Sequence, residues 1–377
     1  MAETNLDEEG NVVGNQSQAQ VVKIEIQGDV TDSTVIAAGG SVYFNLLRQI
    51  GVPFQVPPLP PHFVPRPEVT DVLKARLLSD THSTRGVLVV SAIHGLGGIG
   101  KSTLAAALGY DAEVQQRFND GILWATLGQQ PELLSLLSGW IQALGDYEFR
   151  PTTPEAATQH LRSLLHDKAM LLIVDDVWEP EHAQPFRVSG PHGQALIASR
   201  RADVADDVGA ELHQLDVMTP TQSLALLTAR LGRRLAEIEH SEALALAKEI
   251  GYLPLALELA AVRVARGSSW LALREALAEE IARLEAFEGP RQRREGPRLE
   301  ASFNLSLNAL RVDDEPAWRA FAWLGVLPED VRLAAPMAAT LWNIGEAAAA
   351  EMLELLWNDA PLHLTYHNVF VPDFCHS

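Results

Sequence analysis

One run of residues sets the chemistry of this chain. Gly95-Leu96-Gly97-Gly98-Ile99-Gly100-Lys101-Ser102 fits G-x-x-x-x-G-K-[ST] at every fixed position. A phosphate chain lies against bare backbone N–H groups only where no Cβ intervenes, so glycines fill such a loop. Lys101 has the reach to meet β- and γ-phosphates as a point charge, and Ser102 is placed to ligate Mg²⁺. Asp175-Asp176 ends a later apolar run, and Arg200 follows another. A carboxylate beside a phosphate loop suits Mg²⁺, which assigns Asp175 to the metal. Asp176 is then placed to orient or activate an attacking water. An arginine at a strand's C-terminal end faces the ligand crevice of an α/β sheet, where Arg200 would read a γ-phosphate. Arg201 beside it reads equally well as a surface residue.

These groups need elements to hold them. The β-branched run 87–93 predicts a buried parallel strand, and 103–108 starts the helix behind the loop. That helix N-terminus supplies unpaired N–H groups and a positive dipole end. Further strands are predicted at 121–126, 170–174, 195–198 and 212–215, with helices near 131–144 and 154–166. From Pro220 the spacing turns helical, over 221–231, 241–250, 253–266 and 270–285. Gly251 ends one of these helices and Pro254 opens the next. A basic Gly/Pro-bounded stretch, 289–297, reads as a solvated hinge. Helices at 299–310, 315–324, 334–342 and 345–359 then precede a β-prone ending, 362–371. Helices followed by a small hairpin give a winged-helix outline. The expected fold class is therefore α/β: a P-loop NTPase parallel sheet over 62–216, a helical domain over 217–288 and a winged-helix domain over 296–377.

The N-terminal side differs. Residues 1–20 are polar and acidic, the composition of a disordered tail. Within 21–44, short β-prone runs (Val22, Ile24 and Ile26 in alternation, then Thr34-Val35-Ile36 and Ser41-Val42-Tyr43-Phe44) are separated by Gly and Asp. Such a segment is suited to cross-β stacking between chains, and it resembles the amyloid-like signalling motifs at the ends of some signalling ATPases. It is a candidate homotypic partner site in the tail 1–50. The stretch 51–67 carries seven prolines and reads as an extended linker. The net charge of −20 argues against a nucleic-acid surface. The only cysteine, Cys375, excludes an intrachain disulfide. A polar N-terminus unlike a signal peptide, with no apolar run long enough to span a bilayer, gives a cytoplasmic expectation.

Taken in order, these motifs resemble the NB-ARC nucleotide-binding module of the STAND signalling ATPases, over residues 60–377. Phe63-Val64-Pro65-Arg66-Pro67-Glu68 is similar to the F-V-G-R-E segment that closes over adenine, with proline in place of its glycine and its first glutamate. Gly121-Ile122-Leu123-Trp124 matches the strand after the loop, and LLIVDDVW (171–178) is close to the family's acidic strand. Ala198-Ser199-Arg200 takes the place of its T-T-R sensor, and Gly251-Tyr252-Leu253-Pro254-Leu255-Ala256 resembles G-L-P-L-A. The resemblance implies that Val64 and Arg66 contact the base or lie beside it, and that Pro254 packs on adenine. It implies that Gly95, Gly97, Gly98, Ile99, Gly100, Lys101, Ser102 and Thr103 hold the phosphates of ATP or ADP with Mg²⁺, and that Arg200 senses the γ-phosphate. The family's Met-His-Asp, whose histidine touches the β-phosphate of ADP, is answered here by Tyr366-His367-Asn368, which puts His367 in that role. Family members usually continue into repeats, and no repeat with a period of about 20–50 residues is visible here.

The function that the resemblance implies is a nucleotide-operated switch. ADP would hold it closed, ATP would open it and permit ring assembly, and slow hydrolysis would reset it. The alternative is a DNA-binding transcriptional regulator using its winged helix, against which stand few Lys or Arg among the helices of 299–360. A metabolic ATPase or kinase is a third class.

Overall fold

The computed structural model describes residues 34–38, 41–45, 51–79, 87–92, 98–201, 203–208, 210–288, 296–327, 332–359, 363–365 and 368–370. Chain contacts separate Met1–Gly51 from Val52–Ser377. In the first unit, β1 (Thr34–Ala38) pairs antiparallel with β2 (Ser41–Asn45), Val35 opposite Phe44 and Ile36 opposite Tyr43. The two later β-prone runs are thus strands, while the run at 22–26 lies outside the described residues.

The second unit opens on the proline-rich stretch. It is extended, as expected, but it is part of the domain and not a free spacer. The Pro53 carbonyl accepts from Ile122 N–H (2.8 Å), and Gln55 N–H donates to the Ile122 carbonyl (3.0 Å). Proline cannot donate to a ladder and is tolerated along a sheet edge, where this segment lies. Val56 is buried behind it, so close to Gly109 that a Cβ there would meet Val56 Cγ2 at 2.7 Å.

In chain order the nucleotide-loop module comprises α1 (Pro67–Leu78), β3 (Val87–Ala92), α2 (Lys101–Gly109), α3 (Ala112–Arg117), β4 (Gly121–Gly128), α4 (Leu133–Ala143), α5 (Pro154–Leu165), β5 (Met170–Val177), α6 (Pro180–Ala183), β6 (Gln194–Ser199), α7 (Asp203–Asp207) and β7 (Glu211–Leu215). Its five strands are parallel in the order β4-β5-β6-β3-β7. Leu171 to Val174 and Ala195 to Ala198 are buried, which explains their unbroken apolar sequence. With β3 beside β6 and β5 next in line, the ends of β3, β5 and β6 converge on one edge of the sheet. There the α/β rule puts ligands.

Four helices follow: α8 (Pro220–Leu231), α9 (Glu237–Glu249), α10 (Pro254–Ala265) and α11 (Trp270–Glu288). Thr219 and Gln222 form a capping box at the start of α8. The expected boundary at 216/217 does not divide the core. One apolar cluster runs from Leu73 and Leu104 through Met218 and Leu227 to Leu257 and Leu277. A second cluster fills the other face of the sheet around Trp140, Phe186 and Val204.

The last part has α12 (Gly296–Asp313), α13 (Glu315–Leu324), β8 (Arg332–Leu333), α14 (Ala335–Trp342), α15 (Glu346–Asp359), β9 (His363–Thr365) and β10 (Asn368–Phe370). The three short strands form an antiparallel sheet in the order β8-β10-β9. Its own cluster holds Phe303, Phe321, Leu324 and Leu356. These are the helices and terminal hairpin read from the sequence, with β8 as the element the reading missed.

Candidate functional site

The loop ahead of α2 is shaped by backbone before side chains. Gly100 is the residue before the helix, with φ +97, and Gly98 has φ +77. Both lie in the left-handed region that glycine enters without steric cost. A Cβ on Gly100 would meet nothing within 4 Å, whereas one on Gly98 would stand 2.8 Å from Leu255 Cβ. No side chain caps α2. Its first N–H groups therefore face the loop without a side-chain acceptor, as an anion site requires. Gly95 and Gly97 lie outside the described residues.

Behind the loop, Ser102 Oγ donates to Asp175 Oδ1 at 3.0 Å. Asp175 is on β5, which carries a bulge here. Val174 pairs with Ile197 and Val177 with Ser199, so Asp175 and Asp176 together face one residue of β6. Asp176 takes φ +50 to complete the bend. The bulge puts two consecutive acidic residues at the loop edge of the sheet, where strict alternation would send them to opposite faces. Asp175 is 5% exposed, and burial, then the charge of Asp176, raises its carboxyl to about 6. The Ser102 hydrogen bond and Lys101 oppose that rise. Lys101 is 8% exposed. Burial, then Arg200, lowers its ammonium to about 8, against the pull of Asp175 and Asp176.

Arg200 follows β6. Its Nε lies 3.4 Å from Asp176 Oδ1, and its guanidinium carbon lies 4.7 Å from the ring centroid of Trp178. Trp178 Nε1–H donates to Asp176 Oδ2 at 3.1 Å. Arg201 turns outward to Glu179 (3.0 Å) and Asp203 (2.6 Å), the surface alternative. Two cations, Lys101 and Arg200, and two acids, Asp175 and Asp176, thus share one edge of the sheet.

The segments expected around a base approach from other elements. Val64, half-buried, packs on the same apolar cluster against which Tyr252 and Leu255 pack. Pro254 starts α10, and the next residue, Leu255, donates its N–H to the Gly98 carbonyl at 3.2 Å. Tyr252 makes the preceding turn possible with φ +57. Arg66, only 6% exposed, donates from Nη1 to the Ile99 carbonyl (3.3 Å) and from Nη2 to the carbonyls of Asp216 (2.7 Å) and Val217 (3.2 Å). Its guanidinium thus ties the loop to the connector between β7 and α8. Glu68 reinforces the tie, accepting from Gln222 Nε2 on α8 at 2.9 and 3.0 Å. Thr103 is half-buried in the first turn of α2. His367 lies outside the described residues.

The residues present fit a nucleotide with Mg²⁺. An uncapped helix N-terminus, open space at Gly100 and a buried lysine suit a phosphate chain. Mg²⁺ takes one or two carboxylates with phosphate oxygens and water, and the Ser102–Asp175 pair offers such a half-site. Sequence reasoning missed Trp178 as a partner of Arg200 and Asp176. The only signal for it was its place in LLIVDDVW.

Comparison with known proteins agrees with this geometry. Residues 68–236 match the NB-ARC domain family. The chain is 32% identical over 317 residues to regulatory protein AfsR of Streptomyces coelicolor, covering 80% of this chain and 30% of that protein. It is 25% identical over 202 residues to a putative disease resistance RPP13-like protein of Arabidopsis thaliana, covering 49% and 24%. Among solved structures, a STAND protein with a tetratricopeptide repeat sensor from Pyrococcus horikoshii superposes with TM-score 0.52 at 14% identity. That match covers 86% of this chain and 43% of the other. The chain thus spans about a third or less of the length of its curated relatives. Residues 68–236, with their five-stranded parallel sheet, thus match the NB-ARC domain family, and the fold of the chain is that of the STAND protein from Pyrococcus horikoshii.

Proposed function

We propose that this chain is a nucleotide-operated switch that binds ADP or ATP with Mg²⁺ and hydrolyses ATP slowly. One observation carries the reading: the outer face of the phosphate loop is held by the helical module. Leu255 N–H sits on the Gly98 carbonyl, with the side chain filling the space a Cβ would take. A change in the loop on nucleotide binding is therefore felt directly at α10. Lys101 and the N–H groups of α2 bind the β-phosphate, and Ser102 and Asp175 hold Mg²⁺. Asp176 orients water, and Arg200 reads the γ-phosphate. Val64, Arg66 and Pro254 lie beside the base, and His367 meets the β-phosphate of ADP. Mg²⁺ held by Ser102 and Asp175 would supply positive charge against the phosphates.

In this reading the ATP form exposes a surface on the helical and winged-helix modules and self-associates, and the β1–β2 segment supplies a homotypic contact. Binding by purified protein tests the core of the proposal. Wild type is expected to bind Mg-ADP and to shift to a larger species with an ATP analogue on a sizing column. Lys101→Ala, losing a charge-assisted contact of about 1.5–3 kcal/mol, is expected to bind roughly 10–150-fold more weakly. Equal binding by both proteins would sink the assignment of the loop.

A further inference from the structure

Trp178 is in contact with both polar residues that the switch reading assigns to the γ-phosphate end of the nucleotide. Its indole face lies under the Arg200 guanidinium at 4.7 Å. Its ring N–H reaches Asp176 Oδ2 at 3.1 Å. Arg200 Nε in turn faces the other oxygen, Asp176 Oδ1, at 3.4 Å. Each member of this triangle touches the other two. Arg200 is 23% exposed and Asp176 17%, so an approaching phosphate meets both partly dry.

We propose that Trp178 is a positioning residue through which ATP is told from ADP: its ring face sets Arg200 for the γ-phosphate, and its N–H sets Asp176. The inference rests on the switch reading above and deepens it. The physical ground is preorganisation. A free arginine would lose rotamer freedom on meeting phosphate, and a stacked one has already lost it. A guanidinium stacks flat on an indole, and a lysine ammonium in its place has no flat face to do so.

The test uses the full chain and calorimetric titration with Mg-ADP and with a Mg-bound, non-hydrolysable ATP analogue. The quantity read is the ratio of the two affinities. Trp178→Leu is expected to lower the preference for the analogue about tenfold and to leave ADP affinity where it was. Trp178→Phe keeps a ring under Arg200, and is expected to keep the ratio while hydrolysis slows, because Asp176 has lost its donor. Arg200→Lys keeps the charge without the flat face, and is expected to lose the preference as Trp178→Leu does. That variant carries the test should the leucine substitution not fold. Equal weakening of both nucleotides in Trp178→Leu would make Trp178 a packing residue and overturn the inference. So would an unchanged ratio in Arg200→Lys. Wild type that binds neither nucleotide would overturn the switch reading with it, whereas a ratio that survives Trp178→Leu but falls in Arg200→Lys overturns this inference alone.

Discussion

Asp175 and Lys101 are both buried against their own charge. A carboxyl raised to about 6 contributes stability that is complete below its ordinary value of 3.8 and is lost as pH rises through about 6. Above that pH the fold carries an ionised, desolvated Asp175. A rise of about two pH units corresponds to a cost of about 3 kcal/mol. Asp175→Asn keeps an acceptor for Ser102 and removes the charge. Without nucleotide it is expected to melt several degrees above wild type at about pH 8, with the gap closing at about pH 5. Calorimetric melts at the two pH values check this, and equal melting at about pH 8 would mean that the carboxylate costs nothing. The same variant is expected to lose Mg²⁺-dependent nucleotide binding, so stability and function move in opposite directions. Binding by wild type carries its own pH signature. In the proposed site, protons would compete with Mg²⁺ for Asp175 below about 6, and the Lys101 ammonium would lose its charge above about 8. Affinity for Mg-ADP is expected to be highest between those values and to fall on both sides, read by titration at about pH 5, 7 and 9.

At the scale of elements, two successive carbonyls tie the loop between β3 and α2, one to the helical module and one, through Arg66, to the β7–α8 connector. Gly98 accepts from Leu255 N–H, and Ile99 accepts from Arg66. Gly98→Ala would place a methyl 2.8 Å from Leu255 Cβ at φ +77. Overpacking and a left-handed alanine together are expected to cost about 2–4 kcal/mol and to loosen α10 from the loop. The checks are a lower melting temperature and faster proteolysis between β7 and α8. Arg66→Lys tests the other carbonyl. A single ammonium does not span Ile99 on one side and Asp216 with Val217 on the other, so a loss of about 1–3 kcal/mol is expected. Much of this scaffold was legible in the sequence. The strands are apolar runs that end in the residues they present, and Thr219, Pro254 and Gly251 mark the helix ends they occupy. The ties between modules were not legible. Arg66 uses its charge on backbone carbonyls of the loop and of the β7–α8 connector, and carbonyls leave no trace in side-chain type. The Asp175-Asp176 bulge was hidden for a related reason. A doublet of acids shows that carboxylates end the strand, but only the offset against β6 shows how both reach one edge. The proline-rich stretch misled by composition, because edge pairing through Pro53 and Gln55 depends on the neighbouring strand.

Across the whole molecule, the core from Leu104 to Leu277 makes the nucleotide-loop and helical modules one packed body. Opening of the proposed switch would need more than the γ-phosphate contact. Moving a population from mostly closed to mostly open takes about 5.5 kcal/mol of differential binding, whereas one charge-assisted contact supplies about 1.5–3 kcal/mol. Contacts between copies of the chain are the natural source of the remainder, which makes assembly part of the switching energy. The charge of the chain then sets the terms. Each copy carries a net −20, so bringing copies together works against mutual repulsion. The Debye length falls from about 30 Å at 0.01 M salt to about 8 Å at 0.15 M, which removes most long-range repulsion while leaving buried apolar contact intact. Assembly with the ATP analogue is therefore expected to strengthen as salt rises from about 0.02 to 0.3 M, read by sedimentation velocity at matched protein concentration. Assembly that weakens with salt would instead locate its energy in complementary charged pairs. The same series run with duplex DNA separates the regulator alternative. Phosphate contacts would give binding that is strongest at low salt and falls steeply, the reverse of the trend expected for self-association.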